Sequence, residues 1–192
     1  YQNPSYEEMI HTLKIDFSVK DAERFTPGYN TGMRMLSDFI KYKLTKYALY
    51  RNNPTLDYQS NLSCYLYFGQ ISPQRVAIDI IKEDSLRIEY KLDFLEQLIV
   101  RRELSDNFCF YEENYGNINS APLWAIESLN KHRKDARNYV YSLDKFEKAK
   151  TYDPLWNAAQ KEMLNTGKMH GYMRMYWAKK ILEWTEDAET AL

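Results

Sequence analysis

Met33, Leu36, Phe39, Ile40, Leu44 and Tyr47 recur three and four residues apart, the spacing that gathers apolar side chains on one face of a helix. Ile88, Leu92, Leu95, Leu98, Ile99, Leu104 and Phe108 repeat the pattern. Alternating strand patterns are nearly absent, and six glycines and six prolines leave few turns from which to build a many-stranded sheet. The fold class expected is therefore all-α, a helical bundle. Start signals agree: Ser72-Pro73 and Asp153-Pro154 each set a capping side chain before a proline at the first helical position, where a missing N–H costs nothing. These patterns predict helices near 5–13, 29–50, 62–68, 73–83, 87–110, 122–132, 143–150, 154–166, 169–184 and 187–192. Loops are expected at 51–61, 69–72, 111–121 and 133–142.

The chain of 192 residues is 44% hydrophobic and 28% charged, which suits one soluble globular domain over 1–192 and excludes disordered and collagen-like classes. Its apolar runs are short and broken by charge, and the N-terminus lacks the basic and apolar regions of a signal peptide. An intracellular protein (cytoplasmic if prokaryotic), a monomer with no membrane partner, is the expectation. Cys64 and Cys109 sit in apolar stretches without paired spacing, so both are expected to be buried, reduced thiols, and no metal site is expected. The net charge of −1 does not announce a polyanion partner, so nucleic-acid binding requires a local patch. Seventeen tyrosines, eight phenylalanines and four tryptophans point first to an aromatic core.

Three stretches are too dense in specific residues for ordinary surface helix. One runs from Phe94 to Phe108 and contains Glu96-Gln97 and Arg101-Arg102. Another is Asp153-Pro-Leu-Trp-Asn-Ala-Ala-Gln160, followed by Gly167-Lys-Met-His-Gly-Tyr-Met-Arg-Met-Tyr-Trp177. The third is Asn61-Leu-Ser-Cys-Tyr-Leu-Tyr-Phe-Gly-Gln-Ile-Ser-Pro73. Together they resemble the helical FAD-binding domain of class II cyclobutane pyrimidine dimer photolyases, within the photolyase and cryptochrome family, over about residues 28 to 192. The resemblance implies a domain without the antenna domain and the final C-terminal segment of such an enzyme.

It also implies FAD held folded inside a helical bundle, with the diphosphate on the turn Gln59-Ser60-Asn61-Leu62-Ser63. Small polar residues entering a helix suit that role, although Ser60 or Ser63 taken alone would be only a helix cap. Tyr47 and Arg51 match a tyrosine presented to the cofactor and an arginine beside it; taken alone they are a core residue and a solvated charge. Arg102 and Arg174 are expected to face the isoalloxazine or its supporting network, since an arginine on an apolar helix must find a fixed anion or reach water. The family's match to Arg174 pairs with an aspartate beyond Leu192. Lys168 and Gly171 are placed at the same cavity. Met175 matches a methionine that touches the lesion, whereas Met169 and Met173 read as core.

Class II enzymes carry Glu-Glu where this chain has Glu96-Gln97, and the second carboxyl is expected to hydrogen-bond a thymine carbonyl. The Gln97 amide can still donate a hydrogen bond but cannot transfer a proton. Trp177 and Trp156 match tryptophans that pass an electron to excited flavin, with Trp177 the nearer, while Trp184, a heptad from Trp177, reads as structural. The implied activity is light-driven repair of UV-damaged DNA, with the dimer flipped out of the duplex. Arg101, Lys131, His132, Arg133, Lys134, Arg137, Lys179 and Lys180 are candidates to grip flanking phosphates, though each singly reads as solvated surface. The competing readings are a flavin photoreceptor without repair, mildly favoured by Gln97, a helical fragment that retains no flavin, and an ordinary DNA-binding module, which the neutral charge opposes.

Overall fold

The computed structural model describes residues 5–15, 18, 22 and 24–192, and every regular element among them is helical. The chain runs α1 (Tyr6–Thr12), α2 (Tyr29–Tyr42), α3 (Leu44–Tyr50), α4 (Ser63–Tyr67) and α5 (Pro73–Ile81). It continues through α6 (Ile88–Leu95), a π-helical segment (Glu96–Arg101), α7 (Arg102–Tyr111), a 3-10 turn (Ile118–Ser120) and α8 (Leu123–Lys131). The last four helices are α9 (Leu143–Glu147), α10 (Pro154–Thr166), α11 (Gly171–Glu183) and α12 (Ala188–Ala191). The all-α expectation holds.

Caps set the boundaries where the sequence marked them. Ser72 Oγ accepts from the Arg75 amide, and Asp153 Oδ1 accepts from the amides of Leu155 and Trp156, each with proline next in line. Gly167 ends α10 in the left-handed region at φ +71°, where a side chain would be strained. The 169–184 helix starts later than expected, because His170 stays extended and its Nδ1 accepts from the Tyr172 amide.

Two expected long helices are broken. The helix 29–50 divides at Lys43, which leaves helical geometry at φ −122° while its ammonium binds Asp57 at 2.8 Å. No glycine or proline marks that break. The helix 87–110 carries the π segment, and this wider turn shifts the phase of everything after it. The apolar stripe expected there is misassigned in part: Leu98 is buried as expected, but Ile88, Leu92, Ile99, Leu104 and Phe108 are exposed, and Lys91 and Phe94 complete the buried face. The π turn bears only on the residues that follow it, not on Ile88 and Leu92. Lys91 is satisfied by donating to the Ile81 carbonyl at 3.0 Å.

The core has three parts, the smallest formed by Ala159, Met169 and Met173, so that both methionines are core as expected. In the first, α2, α3, α5 and α6 enclose Leu36, Phe39, Leu44, Tyr47, Val76, Ile80 and Phe94, with Leu62 and Tyr65 of the α4 segment. Gly32 lets α4 approach α2, since a Cβ there would lie 3.1 Å from the Tyr65 ring. In the second, α9, α10 and α11 close around Phe146, Trp156 and Trp184. Trp184 is thus a core residue, as expected. The reading of both cysteines as buried fails: Cys64 is half-buried, and Cys109 is exposed because α7 buries none of its residues. Neither is paired with the other in a disulfide.

Candidate functional site

An open cleft of about 580 Å³ lies between α3, the 59–63 turn, the α6–π–α7 segment and the start of α11. Tyr47, Gln59, Ser60, Asn61, Leu62 and Ser63 line one side, and Gln97, Arg102, Lys168, Gly171, Arg174 and Met175 line the other. Residues as far apart as 47 and 175 therefore meet on one surface. Arg51 joins them, its guanidinium 5.6 Å from the Tyr47 ring centre. Trp156, Trp177 and Arg101 do not line the cleft.

The local folding of each wall follows from its residues. Asn61 takes the left-handed conformation at φ +58°, which asparagine tolerates, and this reverses the chain before α4. The conformation is locked from both sides: Asn61 Nδ2 donates to Asp57 at 3.0 Å, and Asn61 Oδ1 accepts a short hydrogen bond from the Lys168 ammonium. Asp57 is in turn held by Lys43 at 2.8 Å and Arg24 at 3.6 Å. Burial pushes the Asp57 carboxyl up, but hydrogen bonds from Lys43 and Asn61 outweigh it and keep it low. The continuous α6–π–α7 segment supplies Phe94, Gln97, Leu98 and Arg102 to the cleft, Gln97 and Leu98 from the π turn itself.

Electrostatically the cleft is one-sided. Arg51, Arg102, Lys168 and Arg174 line it, and among the described residues no carboxylate does. Arg102 is partly neutralised from outside by Asp106 at 3.2 Å and Glu103 at 3.4 Å. Arg174 has no carboxylate within 4.0 Å among the described residues. Lys168 is lowered to about 8, chiefly by burial, with Arg24 and Arg174 adding repulsion that Asp57 only partly offsets. The cleft is therefore a surface of hydrogen-bond donors and positive charge beside an apolar floor of Leu62, Leu66, Phe94 and Leu98.

Behind α11 lies an aromatic array. The Trp156 and Trp177 indoles stack 6.1 Å apart between ring centres and within 8° of parallel. Trp156 Nε1 donates to the Trp177 carbonyl at 3.1 Å, and Trp177 Nε1 donates to Gln160 Oε1 at 2.8 Å. Trp177 is half-buried and lies on the same helix as the cleft residues Arg174 and Met175, whereas Trp156 is fully enclosed. Tyr176 donates a short hydrogen bond to Asp153, which pushes its hydroxyl up to about 12.

Arg101 pairs with Glu96 at 3.3 Å, a contact made by the i, i+5 spacing of the π turn. Several expected phosphate contacts are likewise engaged locally: His132 with Asp135, Arg133 with Asp187 and Glu189, Lys180 with Glu183, and Arg137 on the carbonyls of Leu182 and Glu183. Reading the sequence missed Asn52, Leu66, Phe94, Leu98 and Tyr172 as cleft residues, and Gln160 as the partner of Trp177. Phe94 and Leu98 carried a signal, the i, i+4 spacing from Phe94; the others carried none.

No family model matches the chain. It is 48% identical over 180 residues to a deoxyribodipyrimidine photo-lyase of Potorous tridactylus, covering 94% of this chain and 34% of that protein. The corresponding protein of Arabidopsis thaliana is 49% identical over 179 residues, covering 91% and 36%. That of Methanothermobacter thermautotrophicus is 45% identical over 183 residues, covering 95% and 40%. The chain belongs to the photolyase and cryptochrome family. It spans between a third and two-fifths of the length of these three photolyases. Cryptochrome-2 of Arabidopsis thaliana is more distant within the family, 28% identical over 165 residues. Among solved structures, a class III photolyase from Agrobacterium tumefaciens aligns at TM-score 0.71 and 21% identity, covering 95% of this chain and 37% of that one. A Synechocystis cryptochrome aligns at TM-score 0.61 and 20% identity, covering 94% and 39%. These two carry the photolyase fold onto the helices described above.

Proposed function

We propose that the cleft holds FAD and that the chain is the flavin-binding part of a class II photolyase acting on cyclobutane pyrimidine dimers in DNA. The observation that carries this reading is the lining itself: four basic side chains and, among the described residues, no carboxylate, beside an apolar and aromatic floor, in a volume normal for a cofactor pocket. Such a surface fits a flat ring system joined to a diphosphate. The donor set fits too. Ser60, Ser63 and Gln59 offer hydrogen bonds beside Lys168, and Gly171 opens α11 where a side chain would crowd the Gln59 amide at 3.1 Å.

FAD, when reduced and excited by blue or near-UV light, supplies the single electron that splits the dimer and is then returned. The residues of this chain supply position and charge. Lys168, Ser60 and Ser63 would hold the diphosphate, with Arg102 and Arg174 at the ring system and Tyr47 packed beside it. Met175 offers a polarisable surface to the extruded dimer, and Gln97 donates its amide hydrogen bond to a pyrimidine carbonyl. Trp177 and the stacked Trp156 form the inner part of a path by which an electron would pass from the protein's surface toward the cleft. Damaged DNA is the proposed partner.

Gln97 favours one second reading, a flavin photoreceptor without repair, because an amide cannot supply the proton that a carboxyl could. The test is illumination of the FAD-loaded, reduced chain with a dimer-containing oligonucleotide, following the recovery of thymine absorbance. Light-dependent recovery, faster in Gln97→Glu, supports the photolyase reading. Retained flavin with no recovery in either protein supports the photoreceptor.

A further inference from the structure

Gln160 is an interior residue of α10, 5% exposed, and both ends of its amide are engaged. Its Nε2 donates to the Glu147 carbonyl at 3.5 Å, so its Oε1 is turned toward Trp177 and accepts that indole N–H at 2.8 Å. The stacked Trp156 also places its N–H on an amide oxygen, the Trp177 carbonyl. Two parallel indoles thus share one property: each ring proton faces an acceptor that cannot take it. Asp153, at the start of the same helix, is occupied by the Tyr176 hydroxyl and the first amides of α10.

This arrangement has a chemical consequence for one-electron oxidation. An indole that loses an electron becomes a strong N–H acid. If a base or water takes its proton, the neutral radical that remains is a weaker oxidant and the electron vacancy stays where it is. If the proton stays on nitrogen, the radical cation can take an electron from the neighbouring ring.

We propose that Gln160 is a positioning residue for electron transfer between Trp156 and Trp177: its amide oxygen fixes the Trp177 ring against Trp156 and keeps the indole proton on nitrogen while that ring is oxidised. One electron leaves Trp177 for a one-electron oxidant, which is the excited flavin on the reading proposed above; one electron then passes from Trp156 to Trp177, and no proton moves in either step. The proposal rests on the reading of Trp177 and Trp156 as an electron path, and it concerns only residues of this chain.

The test needs no flavin, so its failure is separable from failure of the cofactor reading. Pulse radiolysis with azide radical oxidises indoles by one electron and is itself reduced to azide. A Trp124→Phe background removes the indole that is 73% exposed, leaving half-buried Trp177 ahead of the enclosed Trp156 and Trp184. In that background the transient should carry the absorption of the protonated tryptophan radical. Gln160→Glu, isosteric but basic, is compared at about pH 9, above most of the range to which burial raises a glutamate. It should give the neutral radical instead, leaving the protonated form at least about tenfold less populated, the ratio that one pK unit of proton affinity gives.

A second measurement covers misfolding: in indole ¹H–¹⁵N spectra the Trp177 N–H should be protected from exchange with D2O and should lose protection in Gln160→Leu. The same radical band and lifetime in both proteins, or an unprotected Trp177 N–H in the unsubstituted chain, would overturn the proposal.

Discussion

Trp156 and Trp177 stack 6.1 Å apart and within 8° of parallel, and the Trp156 indole N–H donates to the Trp177 main-chain carbonyl. One contact therefore ties α10 to α11 twice, by ring surface and by a hydrogen bond that the enclosed indole needs. Trp156→Ala is expected to cost about 3–5 kcal/mol of unfolding free energy, the range for removing a large aromatic from a core. Trp156→Phe keeps most of the surface and should cost less. Equilibrium denaturation checks both, and a loss under about 1 kcal/mol for the alanine variant would show that the site collapses.

Lys168 gives the cleft a pH dependence of definite sign. Its ammonium is disfavoured in the fold, at about 8 against the ordinary 10.5, so between these values the unfolded chain holds the proton more tightly. Stability should accordingly rise with pH through that window, and Lys168→Met should abolish this part of the slope. Affinity for an anionic dinucleotide should move the other way, steady below about pH 8 and falling above it as the charge is lost. Denaturation and FAD titrations across this range, with Lys168→Met as the control, check the two trends.

Gly171→Ala separates the cleft from the fold. A Cβ there meets the end of the Gln59 side chain at 3.1 Å, which can give way, and alanine is the better helix former by about 1 kcal/mol. Thermal stability should be kept or raised, while FAD affinity falls about tenfold, equivalent to about 1.4 kcal/mol. Calorimetric titration alongside a melting curve distinguishes this from a general loss of structure.

Asp153 is both the cap of α10 and the acceptor of the Tyr176 hydroxyl. Asp153→Ala should cost about 1–2 kcal/mol through the lost cap. It should also lower Tyr176 from about 12 toward the ordinary tyrosine value, because the hydrogen bond to Asp153 is the largest cause of the shift. Ultraviolet titration of the tyrosines, compared with a Tyr176→Phe variant, reads the second effect directly.

The helical class and most helix starts were legible because they depend on local signals: apolar spacing, Ser72-Pro73 and Asp153-Pro154. The motif residues 47, 59–63, 97, 102, 168, 171 and 174–175 do gather in one cleft. What escaped depends on tertiary partners. Lys43 breaks a helix because Asp57, fourteen residues on, binds its ammonium. The π segment displaced the reading of the stripe beyond Glu96, since one wider turn rotates every later side chain and no residue type announces it, while α6 ahead of it buries Lys91 and Phe94 in place of Ile88 and Leu92. Cys109 looked buried by its neighbours, yet α7 exposes the whole of its surface. Gln160 was invisible as a partner because nothing in its spacing points to an indole on another helix.

The central claim is that this basic, carboxylate-free cleft binds a flavin dinucleotide. The measurement that tests it most directly is gel filtration of the purified chain after incubation with FAD, reading the visible absorption of the protein peak. A structured flavin band that comigrates with the chain, and that is weakened by Arg174→Ala and Lys168→Met, is the predicted result. A protein peak free of flavin at concentrations where the chain is folded would contradict the claim.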